Sequence, residues 1–382
     1  MTTQVVPGRR GGTVVVKVGS SSVTTPAGEA DRPLIDRLCR EIASVRAAGH
    51  DVVVVSSGAI AVGWSALGRP GPRPSDPAIL QAVSAVGQQR LMAAWQEGLT
   101  PHALLAGQVL LAPLDFVDRR QYLHARQTFT HLLGLGVVPV VNENDAVADE
   151  EIRFGDNDRL GALVAHLVRA ETLVLLTDAP GLLTGDPRMV EGASLIEEVV
   201  EIDHRLELVA GGPGTPVGSG GMSSKLAAAK IATWSGVRAV IADAARPGVL
   251  AAALAGEPGA GTVFRPRDRR LPARKLWIAF ARSASGTLVV DDGARRALVE
   301  EGRSLLAAGV VAVRGSFVPD DAVEIEGVDG AVFAKGLTRA PSALAGQWVG
   351  RRTEDLPGDV PSEVVHRDDL VVLAGSIPPL RG

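Results

Sequence analysis

Two lysines in this chain stand beside small residues that could wrap an anion. Ser219-Gly220-Gly221-Met222-Ser223-Ser224-Lys225 runs into an alanine-rich helical pattern from Leu226 to Trp234. Free N–H groups at a helix start, backed by a fixed cation, bind phosphate through amide donors and the helix dipole. Thr13 to Val18 (TVVVKV) is a β-branched run, and Lys17-Val18-Gly19-Ser20-Ser21-Ser22 puts a second cation and small hydroxyl residues where that strand ends. Ligands of open α/β sheets lie beyond the carboxyl ends of the strands, so Lys17 and Lys225 are placed to meet over one phosphate. No G-x-x-x-x-G-K-[ST] occurs in the sequence, which argues against a P-loop.

Three further strand-then-polar-turn units lie between the lysines. Asp51 to Val55 leads into Ser56-Ser57-Gly58-Ala59, Val137 to Val141 into Asn142-Glu143-Asn144-Asp145, and Leu173 to Leu176 into Thr177-Asp178. Near-continuous apolar runs separated by helical segments are the pattern of buried parallel strands. Leu34 to Ala48 is one such helix, with Leu34, Ile35, Leu38, Ile42 and Val45 on one face and Gly49 at its end. The pattern predicts an α/β fold, a three-layer αβα sandwich.

KVGSS, SSGAIAVG, NENDAV, FGDNDRL, LTDAPGLLTGDPR and SGGMSSK, in this order and spacing, resemble the amino-acid kinase family. The resemblance spans roughly residues 12 to 264, and the last hundred or so residues resemble a β-rich PUA domain. It implies a kinase domain over 1–264, a linker over 265–275 and a PUA-like domain over 276–382. It further implies phosphorylation of the L-glutamate γ-carboxylate by ATP with Mg²⁺, the first step of proline biosynthesis. Proline as feedback inhibitor, glutamyl phosphate reductase as downstream partner and a homo-oligomer follow from the same resemblance. A carboxylate is already ionised at neutral pH and needs no general base, and nothing here resembles a catalytic His or a Ser-His-Asp set. Charge neutralisation is what such a transfer does need, because two anions about 4 Å apart repel by roughly 4 kcal/mol at an effective dielectric of about 20.

By the resemblance, Lys17 and Lys225 bracket the migrating phosphoryl group, Gly19 and Gly58 let the backbone approach it, and Asp158 bridges the two lysines. Substrate recognition falls to Ser57, Asp145 and Asn157. Asp145 suits an α-ammonium, and Asn157 with Ser57 suits an α-carboxylate. Nucleotide contacts fall to Lys17, Thr177, Asp178 and the run Ser219, Gly220, Gly221, Met222, Ser223, Ser224 and Lys225. Leu183 stands where a tyrosine is frequent in the family, and Arg153 where a lysine is frequent. No metal ligands are assigned.

The 382 residues, 46% hydrophobic, exceed one ordinary domain and suffice for a sizeable core. A formal net charge of −4 offers no electrostatic reason to bind nucleic acid or an anionic membrane. One cysteine, Cys39, excludes an intramolecular disulfide and reads as a small buried residue. No targeting segment or 18-residue apolar span is visible, so a cytoplasmic location is expected and the first dozen residues read as a tail. Gly211 to Pro216 reads as a mobile loop that closes over nucleotide, and Asp186-Pro187-Arg188 as a turn.

Beyond the basic stretch Arg265 to Lys275, short strand patterns occur at Gly286 to Val290, Val310 to Val313, Ala322 to Ile325 and Ala331 to Ala334. His366-Arg367-Asp368-Asp369 lacks the asparagine of a protein-kinase catalytic loop. Two alternatives remain open: another superfamily kinase, of acetylglutamate or aspartate, or an RNA-binding protein acting through the PUA-like domain. Against the latter, residues 274 to 382 carry 13 Lys plus Arg and 15 Asp plus Glu, and aromatics for base stacking are sparse.

Overall fold

The computed structural model describes residues 11–68, 73–147, 157–185, 190, 192–203, 206–207, 221–268, 270–281, 284–355 and 363–373. Residues 1–10 of the tail, Arg153, the Asp186 to Arg188 turn, the 211–216 loop, Ser219 and Gly220 lie outside the described residues. The chain divides into two compact units, Met1–Arg270 and Leu271–Gly382.

The first unit is built on one eight-stranded sheet. Its strands are β1 (Thr13–Val18), β2 (Asp51–Ser56), β3 (Ala106–Leu111), β4 (Val138–Glu143), β5 (Thr172–Thr177), β6 (Glu198–Val199), β7 (Arg238–Asp243) and β8 (Thr262–Phe264), in the order β3-β4-β2-β1-β5-β7-β8-β6. Neighbours run parallel except β7 and β8. Runs such as the four valines of β2 are buried on both faces, as covered parallel strands require. One face sets Val14, Val16, Val52 and Val54 against Leu38 and Ile42 of helix Arg32–Ala47 and Trp95 of helix Pro77–Leu99. The other face, with Lys17, lies under helix Asn157–Leu167, whose Gly161 comes so close that a Cβ there would stand 3.3 Å from Lys17 Cβ. Helices thus cover both faces, giving the three-layer sandwich.

Local rules account for the predicted helix. Asp31 accepts from the Leu34 N–H at 3.0 Å as N-cap of Arg32–Ala47, and Gly49 leaves it at φ 98°. The strand ends differ by a residue or two from the pattern. Asn142 and Glu143 belong to β4 rather than to the turn after it, and Met222 to Lys225 form the first turn of helix Met222–Trp234. Helix Pro77–Leu99 and strands β3, β7 and β8 were not foreseen. That helix carries apolar side chains around much of its circumference, so it lacks the one-sided stripe that marks a surface helix.

Residues Arg265 to Arg267, assigned to the linker by the pattern, are held on the first unit. Arg265 forms a two-pronged pair with Glu198 at 2.6 and 3.0 Å, and Arg267 pairs with Glu201 at 3.0 Å while lying 4.4 Å from the Trp234 ring centre.

The second unit is a six-stranded sheet of β9 (Gly286–Val290), β10 (Leu305–Leu306), β11 (Val310–Gly315), β12 (Ala322–Gly327), β13 (Val332–Thr338) and β14 (Glu363–Val372). The order is β10-β14-β13-β12-β9-β11, antiparallel apart from β9 with β12. Phe317, Phe333 and Trp348 are consumed in its core with Leu288, Ile325 and Val365. The His366 to Asp369 motif is an outward bulge of β14, where register passes from Gly336 opposite Leu370 to Thr338 opposite Val365. Arg274 Nε donates to Asp369 Oδ1 at 2.7 Å, so the bulge ties down the unit's first helix, Ala273–Leu276.

Candidate active site

Register brings the chemistry to one edge of the sheet. Lys17 is level with Val55 of β2 and Leu175 of β5, so the ends of these strands open together into a cleft of about 390 Å³. Gly19 follows β1 and starts the single turn Ser20–Val23. Ser57-Gly58 follows β2, and Gly58 at φ 103° starts helix Ala59–Ala66 in a left-handed conformation that a side chain would strain. A Cβ on Gly58 would also stand 2.8 Å from Val23 Cγ1. That helix is locked against Pro77–Leu99 at a glycine crossing. A Cβ on Gly87 would lie 1.7 Å from the Ala59 carbonyl oxygen, and one on Gly63 2.0 Å from that of Val83. The turn that bears Ser57 and Gly58 is therefore anchored by backbone packed on backbone.

Asp158 is completely buried at the start of helix Asn157–Leu167 and holds three groups. Its Oδ1 pairs with the Lys17 ammonium. Its Oδ2 pairs with Lys225 Nζ at 3.2 Å and accepts from Ser224 Oγ at 2.8 Å. Burial raises the pKa of this carboxyl, but the Lys17 charge, then that of Lys225, and hydrogen bonds from Lys17 and Ser224 outweigh it, so the group lies below the ordinary carboxylate range. Both lysines are nearly buried and both line the cleft, so their cationic ends are aimed by one carboxylate behind them.

A chain of amides runs beside this trio. The Glu143 backbone N–H donates to Asn142 Oδ1 at 2.9 Å. A backbone N–H is an unambiguous donor, so it fixes which end of the Asn142 amide is oxygen. Asn142 Nδ2 then donates to Gln88 Oε1 at 2.9 Å, and Asn157 Nδ2 donates at 2.9 Å to both Asn142 Oδ1 and Ser57 Oγ. Two consequences follow. Ser57 Oγ accepts from Asn157, leaving its hydroxyl hydrogen to donate elsewhere. Among the described residues, Asn157 Oδ1 is a buried acceptor with no hydrogen-bond partner, in a side chain that lines the cleft. The resemblance assigns Asn157 with Ser57 to an α-carboxylate; its Nδ2 donates to Ser57 Oγ and Asn142 Oδ1, and the remaining oxygen is an acceptor that suits a cation.

On the opposite side, Thr177 Oγ1 donates to Asp178 Oδ1 at 3.0 Å at the end of β5, and Gly221 caps helix Met222–Trp234. Met222 and Ser223 sit in its first turn with Ser224 and Lys225. Asp145 lines the cleft from the single 3₁₀ turn after β4. Glu143, Asp145 and Asp178 supply hard oxygen donors of the kind Mg²⁺ shares with nucleotide phosphates and water, although no group of three potential ligands gathers among the described residues.

Residues 12–243 match the amino acid kinase family, and residues 286–354 match the PUA domain. The chain belongs to the amino acid kinase family. It is 44% identical to the glutamate 5-kinase of Pelobacter propionicus, over 94% of this chain and 97% of that protein. It is 45% identical to that of Mycobacterium avium, over 94% and 96% respectively. Carbamate kinase from Giardia lamblia, solved with AMP-PNP bound, shares the fold at 18% identity with a TM-score of 0.50, covering 68% of this chain and 99% of that one.

In this amino acid kinase the structure brings Lys17, Lys225, Asp158, Ser57, Asn157, Asp145, Thr177 and Asp178 to one cleft or its wall. Sequence reasoning passed over Asn142, Gln88 and Arg73. Asn142 stands inside NENDAV, so its motif was visible while its place in the amide chain was not. Gln88 and Arg73 belong to the unforeseen helix and the segment before it. No helix among the described residues is long and apolar enough to cross a membrane.

Proposed function

We propose that this amino acid kinase transfers the γ-phosphoryl group of ATP to the γ-carboxylate of L-glutamate, yielding glutamyl 5-phosphate and ADP. The observation that carries the reading is the buried Asp158 holding Lys17 and Lys225 together at the cleft. A γ-carboxylate oxygen forms the new P–O bond as the bond to the β-phosphate oxygen breaks, with no proton to remove. Charge builds on both sides of the migrating phosphorus, and two fixed ammonium groups reduce it without reorganising. Asp178 is a carboxylate of the cleft that would help hold Mg²⁺, and the ion would supply further neutralisation of the negative charge on the nucleotide.

Thr177, Asp178 and Lys225, with Gly221 to Ser224 leading into the same helix, form the nucleotide side of the cleft, and Ser57, Asp145 and Asn157 the glutamate side. Here Asp145 and the free Asn157 Oδ1 receive the α-ammonium, while the Ser57 hydroxyl donates to the α-carboxylate. The name shared by the full-length relatives supports glutamate over other acceptors. Proline shares the five-carbon skeleton and α-carboxylate of glutamate and so competes for the same groups. An acyl phosphate hydrolyses readily, which favours a reductase that consumes it at once, in the cytoplasm, as the next step of proline biosynthesis. The test is ATP-dependent turnover with glutamate, aspartate, N-acetylglutamate and carbamate side by side. Glutamate has the highest kcat/KM on this reading, and preference for another acceptor overturns it.

A further inference from the structure

The cleft has a third cation. Arg73, in the short segment before helix Pro77–Leu99, lines it and lies outside the set assigned to substrate or nucleotide. Among the described residues Arg73 has no hydrogen bond or ion pair. The carboxylate nearest in sequence, Asp76, is committed elsewhere, accepting from Ala78 and Ile79 N–H at 2.9 and 3.3 Å as the helix N-cap. The helix that begins four residues after Arg73 is fixed against the helix following the Ser57-Gly58 turn through the Gly87 crossing, and Arg73 shares the cleft lining with Ser57 and Gly58.

With glutamate as the acceptor, as proposed above, the cleft must recognise one ammonium and two carboxylates. Asp145 and Asn157 Oδ1 take the ammonium, and the lysines on Asp158 face the carboxylate being phosphorylated. The α-carboxylate is left with the neutral Ser57 hydroxyl. A guanidinium fork matches a carboxylate in two parallel hydrogen bonds, which an ammonium cannot reproduce. We infer that Arg73 binds the substrate α-carboxylate and makes the site selective for acceptors that carry one.

Steady-state kinetics on the full chain test this with Arg73→Ala and Arg73→Lys, both checked for native circular dichroism. Arg73→Ala raises the glutamate KM about tenfold, the loss of one solvent-accessible charge-assisted contact, with kcat within about twofold and the ATP KM unchanged. Arg73→Lys recovers part of the loss. Any inhibition by 4-aminobutanoate, which is glutamate without its α-carboxylate, is the same in wild type and Arg73→Ala. Unchanged glutamate KM overturns the inference, as does a fall in kcat or a rise in ATP KM, either of which assigns Arg73 to the phosphoryl group instead. Failure of the wild-type chain to use glutamate refutes the proposed reaction, a separate result.

Discussion

Replacing Asp158 by asparagine removes one negative charge from between two ammonium groups and changes almost no volume. At the 3.2 Å separation from Lys225 and an effective dielectric of about 20, a single pair interacts by about 5 kcal/mol. Desolvation of the buried ions offsets part of this, and deleting one partner of a buried pair costs about 3–5 kcal/mol because the other charge is left uncompensated. The depressed pKa of Asp158 places this contribution fully above the ordinary carboxylate range, to be lost only as pH falls through the folded value, so assays near pH 7.5 report all of it. For the first unit that loss lowers the melting temperature by about 10 °C. Turnover falls at least a hundredfold, since both lysines lose their aim as well as their counter-charge. ATP supplies negative charge at the same place, so saturating ATP raises the melting temperature of Asp158→Asn by more degrees than that of wild type. The assays are ADP release and a thermal melt followed by circular dichroism. Turnover within threefold of wild type, or an ATP-induced shift smaller than the wild-type one, refutes the bridging role.

Lys17→Met and Lys225→Met each lower kcat by about a hundredfold or more while the far-ultraviolet spectrum stays native, and near-normal turnover in either removes that lysine from the mechanism. Asp145→Asn raises the glutamate KM more than the ATP KM in initial-rate measurements, and millimolar proline raises the apparent glutamate KM of wild type without lowering kcat. Burial, then Arg270, Arg169 and Arg126, push His166 down to about 4 from an ordinary 6.5. The unfolded chain therefore binds the proton first, stability drains away as pH falls from about 6.5 toward 4, and urea unfolding at pH 7.5 and 4.5 shows wild type losing roughly 2–3 kcal/mol more than His166→Gln. A chain ending at Arg270, where the first unit ends, remains folded by size-exclusion chromatography and retains turnover within about tenfold of the full chain.

Much of the layout of the cleft was legible because it resides at strand ends. Lys17 and Thr177 stand at the ends of apolar runs, and the helix after Gly221 has its own small-residue entry, so their types and positions point to the same edge before any packing is known. The parts that stayed hidden depend on contacts distant in sequence. Nothing local to Asn157 reveals that its amide is oriented by the Glu143 N–H acting through Asn142, 15 residues upstream. The Gly63–Gly87 crossing was equally silent, since a glycine inside a helical pattern reads as a weak point until a second backbone is seen to fill its place. Cys39 was read correctly as core: it is fully buried, and burial first, then Asp36, pushes its thiol up to about 12.

The most direct test of the account is to trap the product with hydroxylamine while counting ADP. Transfer to a side-chain carboxylate predicts γ-glutamyl hydroxamate formed in equal amount to ADP, dependent on glutamate and abolished together with ADP release in Lys17→Met. ADP release without trapped acyl phosphate, or hydroxamate formed from another acceptor but not from glutamate, contradicts it.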